Sequence, residues 1–291
     1  MANSITKFKR YIDLLDEVYT QESKTAILDG DSTLVRMGAN ANEIIIPKIS
    51  MDGLADYSRN GGYVKGNVTL TNETVALNYD RGRKFIVDAM DNEETAGAAF
   101  GRLSSEFIRT KVVPELDAFR FAKYASLTGI SKVSAGATLS DGAAVISALR
   151  AATNKLDEDE VPMENRVLFI TPTLLGMIQD LDATKSKEVT IRFSDNVKVP
   201  QTRFYTAIDL NDGPTSGKES GVFSKATGAK DINFMIVHKP ALLQYTKHTV
   251  NKIISPEENQ DSDGWMFFYR AYGLADAYDN KAAGIYLHHK A

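Results

Sequence analysis

Residues that commonly carry out catalysis or hold metals are few in this chain. It contains no cysteine and only four histidines among 291 residues. The lack of cysteine excludes disulfides, thiolate metal sites, cysteine nucleophiles and iron–sulfur clusters, and it is typical of a reducing compartment. His288 and His289 lie at the C-terminus, where we expect fraying. His238 ends a predicted strand without a triad-like pattern around it, so we interpret it as structural.

Three polar segments imitate ligand sites without completing them. Residues 213–219 resemble a phosphate-binding loop, but three residues rather than four separate the glycines, and Glu219 replaces the Ser or Thr that would hold magnesium. Residues 259–264 resemble the start of a calcium loop, yet Arg270 stands where the bidentate glutamate belongs. The acidic run 157–160 is interpreted as a solvated helix end.

These absences lead us to predict no cofactor, no metal site and no enzymatic activity. A cytosolic hydrolase of α+β fold remains the alternative, because a catalytic pair of carboxylates leaves no recognisable sequence pattern. Turnover by a stable monomer would support that alternative.

The composition is typical of a compact globular protein that is neither membrane-bound nor strongly basic. Hydrophobic residues make up 43% of the chain and charged residues 25%. The longest apolar runs are far too short to span a bilayer, and residues 1–4 do not lead into an apolar signal core, so we expect no membrane insertion or export. A formal net charge of -4 predicts that any contact with nucleic acid is weak or local.

An unusual ribbon is predicted between residues 43 and 79. Residues 43–49 and 68–79 favour extended backbone, whereas the segment between them is rich in Gly, Asn and Asp. A two-stranded ribbon of this length has little apolar face with which to support itself. It therefore packs either on its own domain or on a neighbouring molecule, and the sequence leaves both arrangements open.

Helical periodicity predicts three further helices and one interrupted long helix. The long helix runs from about residue 91 to 126, and Pro114 predicts a kink or restart with the break near Val113. The other helices are predicted within residues 5–19, over an apolar stripe formed by Ala143, Ile146, Leu149, Thr153 and Leu156, and from Pro172 onwards through Leu174, Leu175 and Ile178.

The remaining apolar segments predict strands. The helix from Pro172 directly follows one of them, so these residues form a strand–turn–helix unit, and 211–221 is loop by composition. The predicted strands are residues 166–170, 232–238, 247–254 and 265–272.

The order of these elements resembles that of the major capsid (coat) proteins of tailed bacteriophages. Residues 43–59 are similar to the outward arm of that family's extended loop, with Gly61, Gly62 and Tyr63 near its tip. Residues 80–95 resemble the passage into the family's long spine helix, and 113–120 its later part. Segments 166–172 and 278–286 are also similar to the family, so the resemblance spans nearly the whole chain.

The resemblance implies an α+β tailed-phage coat fold. It has an N-terminal arm, an extended two-stranded loop, a long spine helix in a peripheral domain and a mixed α/β axial domain. The corresponding residues are 1–40 for the arm, 41–88 for the extended loop, 89–135 with 241–291 for the peripheral domain, and 136–240 for the axial domain.

The function implied by the resemblance is structural. Subunits of this family join head to tail into pentamers and hexamers that tile an icosahedral head shell around double-stranded DNA. The implied partners are further copies of the chain, a portal protein and packaged DNA through weak contacts, without a membrane. We also expect a separate scaffolding protein, because a ribbon that begins near residue 43 leaves no space for a fused scaffolding segment. The implied location is the virion capsid, after assembly in the bacterial host cytoplasm.

The arm and the ribbon are expected to gain burial by lying across neighbouring subunits. Charged residues at the base of the ribbon are candidate pairs between subunits or, alternatively, solvated surface residues. Lys65 beside Asn67 does not indicate a covalent crosslink. The candidate inter-subunit contact residues are Tyr57, Arg59, Tyr63, Lys65, Asp80, Arg81, Arg83, Lys84 and Asp88.

A second structural alternative has the same fold. The shell protein of a bacterial encapsulin-type nanocompartment differs from a phage coat in what the interior of the shell binds. Terminase and portal genes beside the coding sequence would favour the phage, and an adjacent enzyme with a cargo tail would favour the compartment.

Overall fold

A computed structural model of the chain describes residues 22–30, 36–37, 43–94, 102–133, 135–181 and 189–291. The helix predicted within residues 5–19 lies outside the described residues.

In the described residues, four strands precede a helical region, and most of the remaining strands lie in the C-terminal part of the chain. The strands are β1 (Arg36–Met37), β2 (Glu43–Met51), β3 (Val68–Ala76), β4 (Tyr79–Asp88), β5 (Ser131–Lys132), β6 (Arg166–Ile170), β7 (Asp195–Lys198), β8 (Ile208–Leu210), β9 (Phe223–Lys225), β10 (Ile232–His238), β11 (Leu242–Ile254), β12 (Gly264–Ala277) and β13 (Ile285–His289). The helices are α1 (Ala89–Glu94), α2 (Leu103–Phe107), α3 (Val113–Ser126), α4 (Gly142–Glu158) and α5 (Pro172–Leu181).

A five-stranded sheet in the order β5-β13-β10-β6-β7 forms the centre of the molecule. Every residue of β6 and β10 is buried, which explains why both strands are mainly apolar, with Arg166, Asn233 and His238 as buried polar exceptions. Alternate residues serve opposite faces: Leu168 and Ile170 pack with helices α4 and α5, whereas Val167 and Phe169 pack with α3. The strands predicted at 166–170 and 232–238 and the helix start at Pro172 are confirmed.

Strand β13 corrects the expectation that the C-terminal histidines fray. It lies between β5 and β10, and its His288 is only 3% exposed. The imidazole stacks on Phe234 at 4.8 Å, and its Nδ1 lies 3.0 Å from the Asn233 side chain. The prediction was wrong because it used only the position of the histidines near the chain end, and that position does not show that their strand pairs within a central sheet. This strand shares a sheet with β6 and β10, although the resemblance assigns 241–291 to the peripheral domain.

A second antiparallel sheet has the order β11-β12-β4. Its register pairs Val250 with Arg270, and Arg270 with Gly82. The strands predicted at 247–254 and 265–272 are thus confirmed as partners. The resemblance places residues 79–88 in the extended loop, but they form a strand of this sheet. The projecting ribbon consists of β2, β3 and the segment 52–67 between them, and the short strand β1 pairs with β2 at its base, Arg36 with Ile45 and Met37 with Ile44. The other boundaries remain predictions.

The long helix is interrupted where proline predicts a break. Residues Ile108–Val112, between α2 and α3, form a π-helical turn, and Pro114 lies in the first turn of α3. Proline lacks a backbone N–H and its ring crowds the carbonyl four residues earlier, so a widened turn accommodates it. The side chain of Thr110 helps by donating to the Glu106 carbonyl at 2.7 Å. The predicted break near Val113 is confirmed.

Helix α4 is confirmed, with a small rotation of its apolar stripe. Val145 and Ala152 are buried with Leu149, whereas Ala143 is exposed. The helix ends in the acidic run that is interpreted above as solvated. Asp157 in that run pairs at 2.7 Å with the fully buried Arg166, so one of its carboxylates has a structural role.

A buried carboxylate on α3 holds the segment that precedes the ribbon. Asp117 is fully buried and accepts hydrogen bonds from the backbone N–H groups of Lys24 and Thr25, at 2.9 and 3.1 Å. The hydroxyls of Ser23 and Thr25 donate to the same carboxylate at 2.8 and 2.7 Å, and Arg203 completes its shell at 3.0 Å. Five donors therefore satisfy one buried charge.

The consequence is that residues 22–30 belong to the core of their own subunit. Leu28 is 1% exposed and packs beside Phe121, while Gln244 donates to the Thr25 carbonyl and to Asp29 at 2.7 Å. The expectation that the N-terminal arm gains its burial from neighbouring subunits is wrong for this segment. Asp117 binds this segment within its own subunit, and the sequence pattern does not reveal that long-range contact.

Substituting Asp117 with alanine should destabilise the subunit strongly. The change leaves Arg203 buried without its carboxylate and frees two backbone N–H groups, so we expect a loss of about 3–5 kcal/mol in the free energy of unfolding. Urea unfolding of the unassembled chain measures it. Asp180→Ala, an exposed aspartate on α5, is the matched control, expected to stay within about 0.5 kcal/mol of wild type. Equal effects of both variants would contradict the role of Asp117.

Protonation of His288 should weaken the fold in mild acid. Burial, helped by the nearby His289, lowers the pKa of His288 from 6.5 to about 4. The folded chain therefore binds fewer protons than the unfolded chain, so this contribution to stability is complete above pH 6.5 and is lost as pH falls toward 4. Thermal unfolding between pH 7 and pH 4 should show a smaller decline for His288→Asn than for wild type. Identical declines would contradict this assignment.

Candidate assembly surface

The ribbon formed by β2 and β3 is anchored at one end only. The two strands of nine residues pair in register from Glu43 with Ala76 to Met51 with Val68. At a rise of about 3.3 Å per residue they extend about 30 Å. At the base, Ile44 is fully buried against Leu243 and Leu274. The core contacts of the ribbon are concentrated at this end.

The distal part of the ribbon exposes many large apolar side chains. Leu54 is 108% exposed and Tyr63 is 89% exposed, so both are open to solvent. The full set of large exposed hydrophobic residues in the ribbon is Ile49, Met51, Leu54, Tyr57, Tyr63, Val64, Val68 and Leu70. Apolar surface of this extent on a projecting element marks an interaction site rather than ordinary scattered exposure.

The tip of the ribbon is nevertheless held in one conformation by local bonds. The Gly62 N–H donates to the Ser58 carbonyl at 2.7 Å, and Gly62 adopts the positive φ that the turn requires. The Asp52 carboxylate accepts from the Asn67 N–H at 2.7 Å. The rings of Tyr57 and Tyr63 lie 4.9 Å apart. The apolar groups are thus presented in an ordered way, which lowers the entropic cost of docking.

The candidate contact residues at the tip are all exposed. Tyr57 and Tyr63 contact each other, and Arg59 and Lys65 flank the turn. The structure brings these four residues to one end of the ribbon. Their contact with another subunit remains a prediction.

The charged candidates at the base of the ribbon have partners within the chain. Asp80 pairs with Arg270 at 2.6 Å, and these hydrogen bonds lower the pKa of Asp80. Arg81 pairs with Glu115 on α3 at 2.8 Å. Lys84 lies over the ring of Phe268, and Asp88 accepts from the Met90 N–H. Arg83 donates to the Glu219 carbonyl oxygen at 2.9 Å. The inter-subunit role of these five base residues remains a prediction.

A cavity of about 450 Å³ lies between β4, the helical segment 103–115 and the loop 211–222. Its wall includes the aromatic side chains of Phe85, Phe107 and Tyr269, whose rings approach edge to face at 4.8 and 5.9 Å. Its charged lining is balanced, with the three cations Arg81, Arg83 and Lys111 and the three carboxylates Glu106, Glu115 and Asp212. The sequence placed Phe107 only within the long helix predicted from about residue 91 to 126, because no local signal reveals which loop closes a cavity.

The described residues contain no cluster of three or more metal-ligating side chains. Over the same described ranges, no helix is long and apolar enough to cross a membrane. Burial lowers the pKa of His238, with Arg166 and Lys281 acting in the same direction.

No family model and no curated protein matches the chain. Its fold is nevertheless shared with solved phage structures. One from Mycobacterium phage Che8 aligns with a TM-score of 0.66 at 14% identity, over 99% of this chain and 98% of that chain. The capsid of the cyanophage P-SCSP1u gives 0.62 at 10% identity, over 99% and 93%. The mature capsid of bacteriophage PhiM1 gives 0.60 at 11% identity, over 97% and 91%. The expected coat-type α+β fold is confirmed.

Removing apolar groups from the ribbon tip should leave the isolated subunit as stable as before. Leu54 and Tyr63 contribute no burial within the chain, so the double variant Leu54→Ser with Tyr63→Ser should change the free energy of unfolding by less than about 0.5 kcal/mol. Urea unfolding of the unassembled protein measures this. Ile44→Ser at the buried ribbon base is the contrasting control and should cost about 2–5 kcal/mol. A large loss from the tip variant would show that the tip packs on its own subunit.

Proposed function

We propose that the chain is the major capsid subunit of a tailed bacteriophage, which assembles through pentamers and hexamers into the icosahedral head shell around double-stranded DNA. The observation that carries this proposal is the ribbon, an ordered element with exposed apolar side chains along its length. It projects from a fold that phage capsid structures share over nearly the whole chain.

The energetics favour burial of the ribbon by other copies. Burying one large apolar side chain contributes about 1.5–3 kcal/mol. Association costs about 4–15 kcal/mol in lost freedom of motion, so one or two such side chains do not suffice. Eight are exposed along this ribbon, which makes repeated contact with neighbours favourable. Assembly would bury the apolar side chains of the ribbon, which stay exposed in the isolated subunit.

The geometry of the contact favours rings. The ribbon and the surface on which it packs are different parts of the chain, so the contact is heterologous. Each subunit can therefore bind the ribbon of one neighbour and place its own ribbon on another. Such head-to-tail contacts close into rings when the rotation between subunits permits. Pentamers and hexamers are rings of this kind, and together they tile a closed shell.

The proposal includes further partners. A separate scaffolding protein guides assembly in the host cytoplasm, a portal protein occupies one vertex, and the finished subunit resides in the virion. A net charge of -4 suits weak contacts with packaged DNA. The role is structural rather than enzymatic: the buried histidines described above act in packing, and Asp117 and Arg203 satisfy each other in the core.

Assembly should depend on the ribbon while folding does not. Electron microscopy of the purified full chain, alone and coexpressed with its scaffolding partner, should show pentamers, hexamers or closed shells. The double variant Leu54→Ser with Tyr63→Ser should remain folded but lose these particles. Lys252→Ser, an exposed residue on β11 away from the ribbon, is the matched control and should assemble normally.

Two outcomes would contradict the proposal. One is a single small species over a wide range of protein concentration with and without the scaffolding partner. The other is normal assembly of the ribbon variant. Uniform shells of native size from the chain alone would refute the separate scaffolding protein without refuting the capsid function.

A further inference from the structure

We infer that Asn60, in the turn at the ribbon tip, is a site of spontaneous deamidation in the unassembled subunit. The modification replaces a neutral side chain by a carboxylate and disrupts the turn that presents the tip. Its effect on assembly rests on the proposed function, whereas the chemical step depends only on the isolated chain.

The residue that follows Asn60 favours this chemistry. Asn60 and Gly61 form the only Asn-Gly dipeptide among the 291 residues. Deamidation begins when the backbone nitrogen of the next residue attacks the side-chain amide carbon of the asparagine. A glycine lacks the Cβ that would obstruct this approach, and its freedom in φ and ψ lets the five-membered ring close.

The reaction needs no partner other than water. The Gly61 backbone N–H loses its proton to solvent, and the nitrogen forms a bond with Cγ of Asn60. The side-chain amide takes up a proton and leaves as ammonia. Water then opens the cyclic imide at either carbonyl. One opening gives aspartate, and the other gives iso-aspartate, in which the main chain runs through the former side chain and gains one methylene group.

The structure leaves the reacting groups open to water. Asn60 and Gly61 are both exposed, and Ser58 pairs with Gly62 on either side of them, so residues 59–61 form a three-residue loop. The Gly61 N–H donates to the Ser58 hydroxyl oxygen at 3.1 Å, which is an exposed local bond rather than part of a strand ladder. Ser58 therefore slows the loss of that proton without preventing it, because exposed local bonds open readily.

Two other asparagines of the ribbon lack this combination. Asn67 and Asn72 are also exposed, but Val68 and Glu73 follow them. The β-branched side chain of Val68 crowds the attacking nitrogen and restricts the backbone. Asn72 lies within β3, where pairing with β2 holds the chain extended. Both asparagines therefore serve as internal controls in the same molecule.

Iso-aspartate at position 60 changes the shape of the tip. Its extra methylene lengthens a loop whose ends are held together by the Gly62 N–H, which donates to the Ser58 carbonyl at 2.7 Å. The rings of Tyr57 and Tyr63, directly outside this pair, lie 4.9 Å apart and depend on the same turn for their arrangement. The body of the subunit stays folded, but the ordered presentation that favours docking is lost. A subunit that remains unassembled for long therefore loses its capacity to assemble.

Peptide mapping by mass spectrometry tests the chemical step in the unassembled full chain, incubated at mildly alkaline pH and sampled over time. Chymotrypsin cleaves after Tyr57 and Tyr63, and the peptide 58–63 contains Asn60 as its only asparagine. A zero-time sample corrects for conversion during digestion. We expect Asn60 to convert several-fold faster than Asn67 and Asn72. Equal rates at the three positions overturn the inference.

Two variants test the role of the turn. Ser58→Ala should accelerate conversion about 2- to 10-fold, the factor that corresponds to the loss of one ordinary hydrogen bond. Gly61→Ala is the matched control and should slow conversion several-fold. Gly61 does not adopt a positive φ, and a Cβ there would lie 3.4 Å from the Ser58 hydroxyl oxygen, so the turn can persist while ring closure is hindered. Conversion at the wild-type rate in both variants overturns the inference.

Assembly after incubation tests the consequence. Samples of increasing age are mixed with the scaffolding partner, and particles are separated from free subunits. Particles should contain a smaller fraction of modified Asn60 than the free subunits do. Asn60→Ser, which cannot deamidate at this position, should keep its capacity to assemble over the same incubation. Equal modified fractions in particles and free subunits overturn the effect on assembly. Failure of fresh protein to form particles overturns the proposed function and leaves the deamidation of Asn60 standing.

Discussion

A two-stranded ribbon cannot bury its own apolar side chains. Pairing of β2 with β3 satisfies backbone hydrogen bonds along nine residues of each strand, but it supplies no second layer against which side chains can pack. Beyond its buried base, the ribbon exposes hydrophobic groups on a locally ordered tip. This deficiency is the reason for inferring neighbours, and the proposed rings and the proposed shell both depend on it.

The rest of the described chain buries most of its apolar side chains, although six large ones are exposed: Ile86, Met90, Met163, Leu181, Ile191 and Ile253. The five-stranded sheet has apolar cores on both faces, and a buried carboxylate, Asp117, gathers the segment that precedes the ribbon into the same subunit. The molecule therefore combines a body with its own hydrophobic core and a ribbon whose distal apolar side chains are exposed. This division corrects the simpler expectation that everything before the body relies on neighbours, because residues 22–30 pack within their own subunit.

Local chemistry made much of the fold predictable from the sequence. The strands at 166–170 and 232–238 are mainly apolar because both faces of the sheet are covered, and Pro114 cannot continue a preceding helix but suits the first turn of a new one. The interactions that could not be predicted join residues far apart in the chain. Asp117 binds groups more than 90 residues away, Asp80 pairs with Arg270 across two strands, and β13 returns to a central sheet. The cavity could not be predicted either, because its lining comes from segments that lie far apart in the chain.

Hydrogen exchange of the ribbon amides in free and assembled protein tests the central claim most directly. Residues 43–76 lie on an extension with few buried contacts, so beyond the base they should exchange rapidly in the unassembled subunit and become strongly protected in the shell. The amides of β6 and β10 should be protected in both states. Equal protection of the ribbon before and after assembly would contradict the account, since it would show that the ribbon is complete without its neighbours.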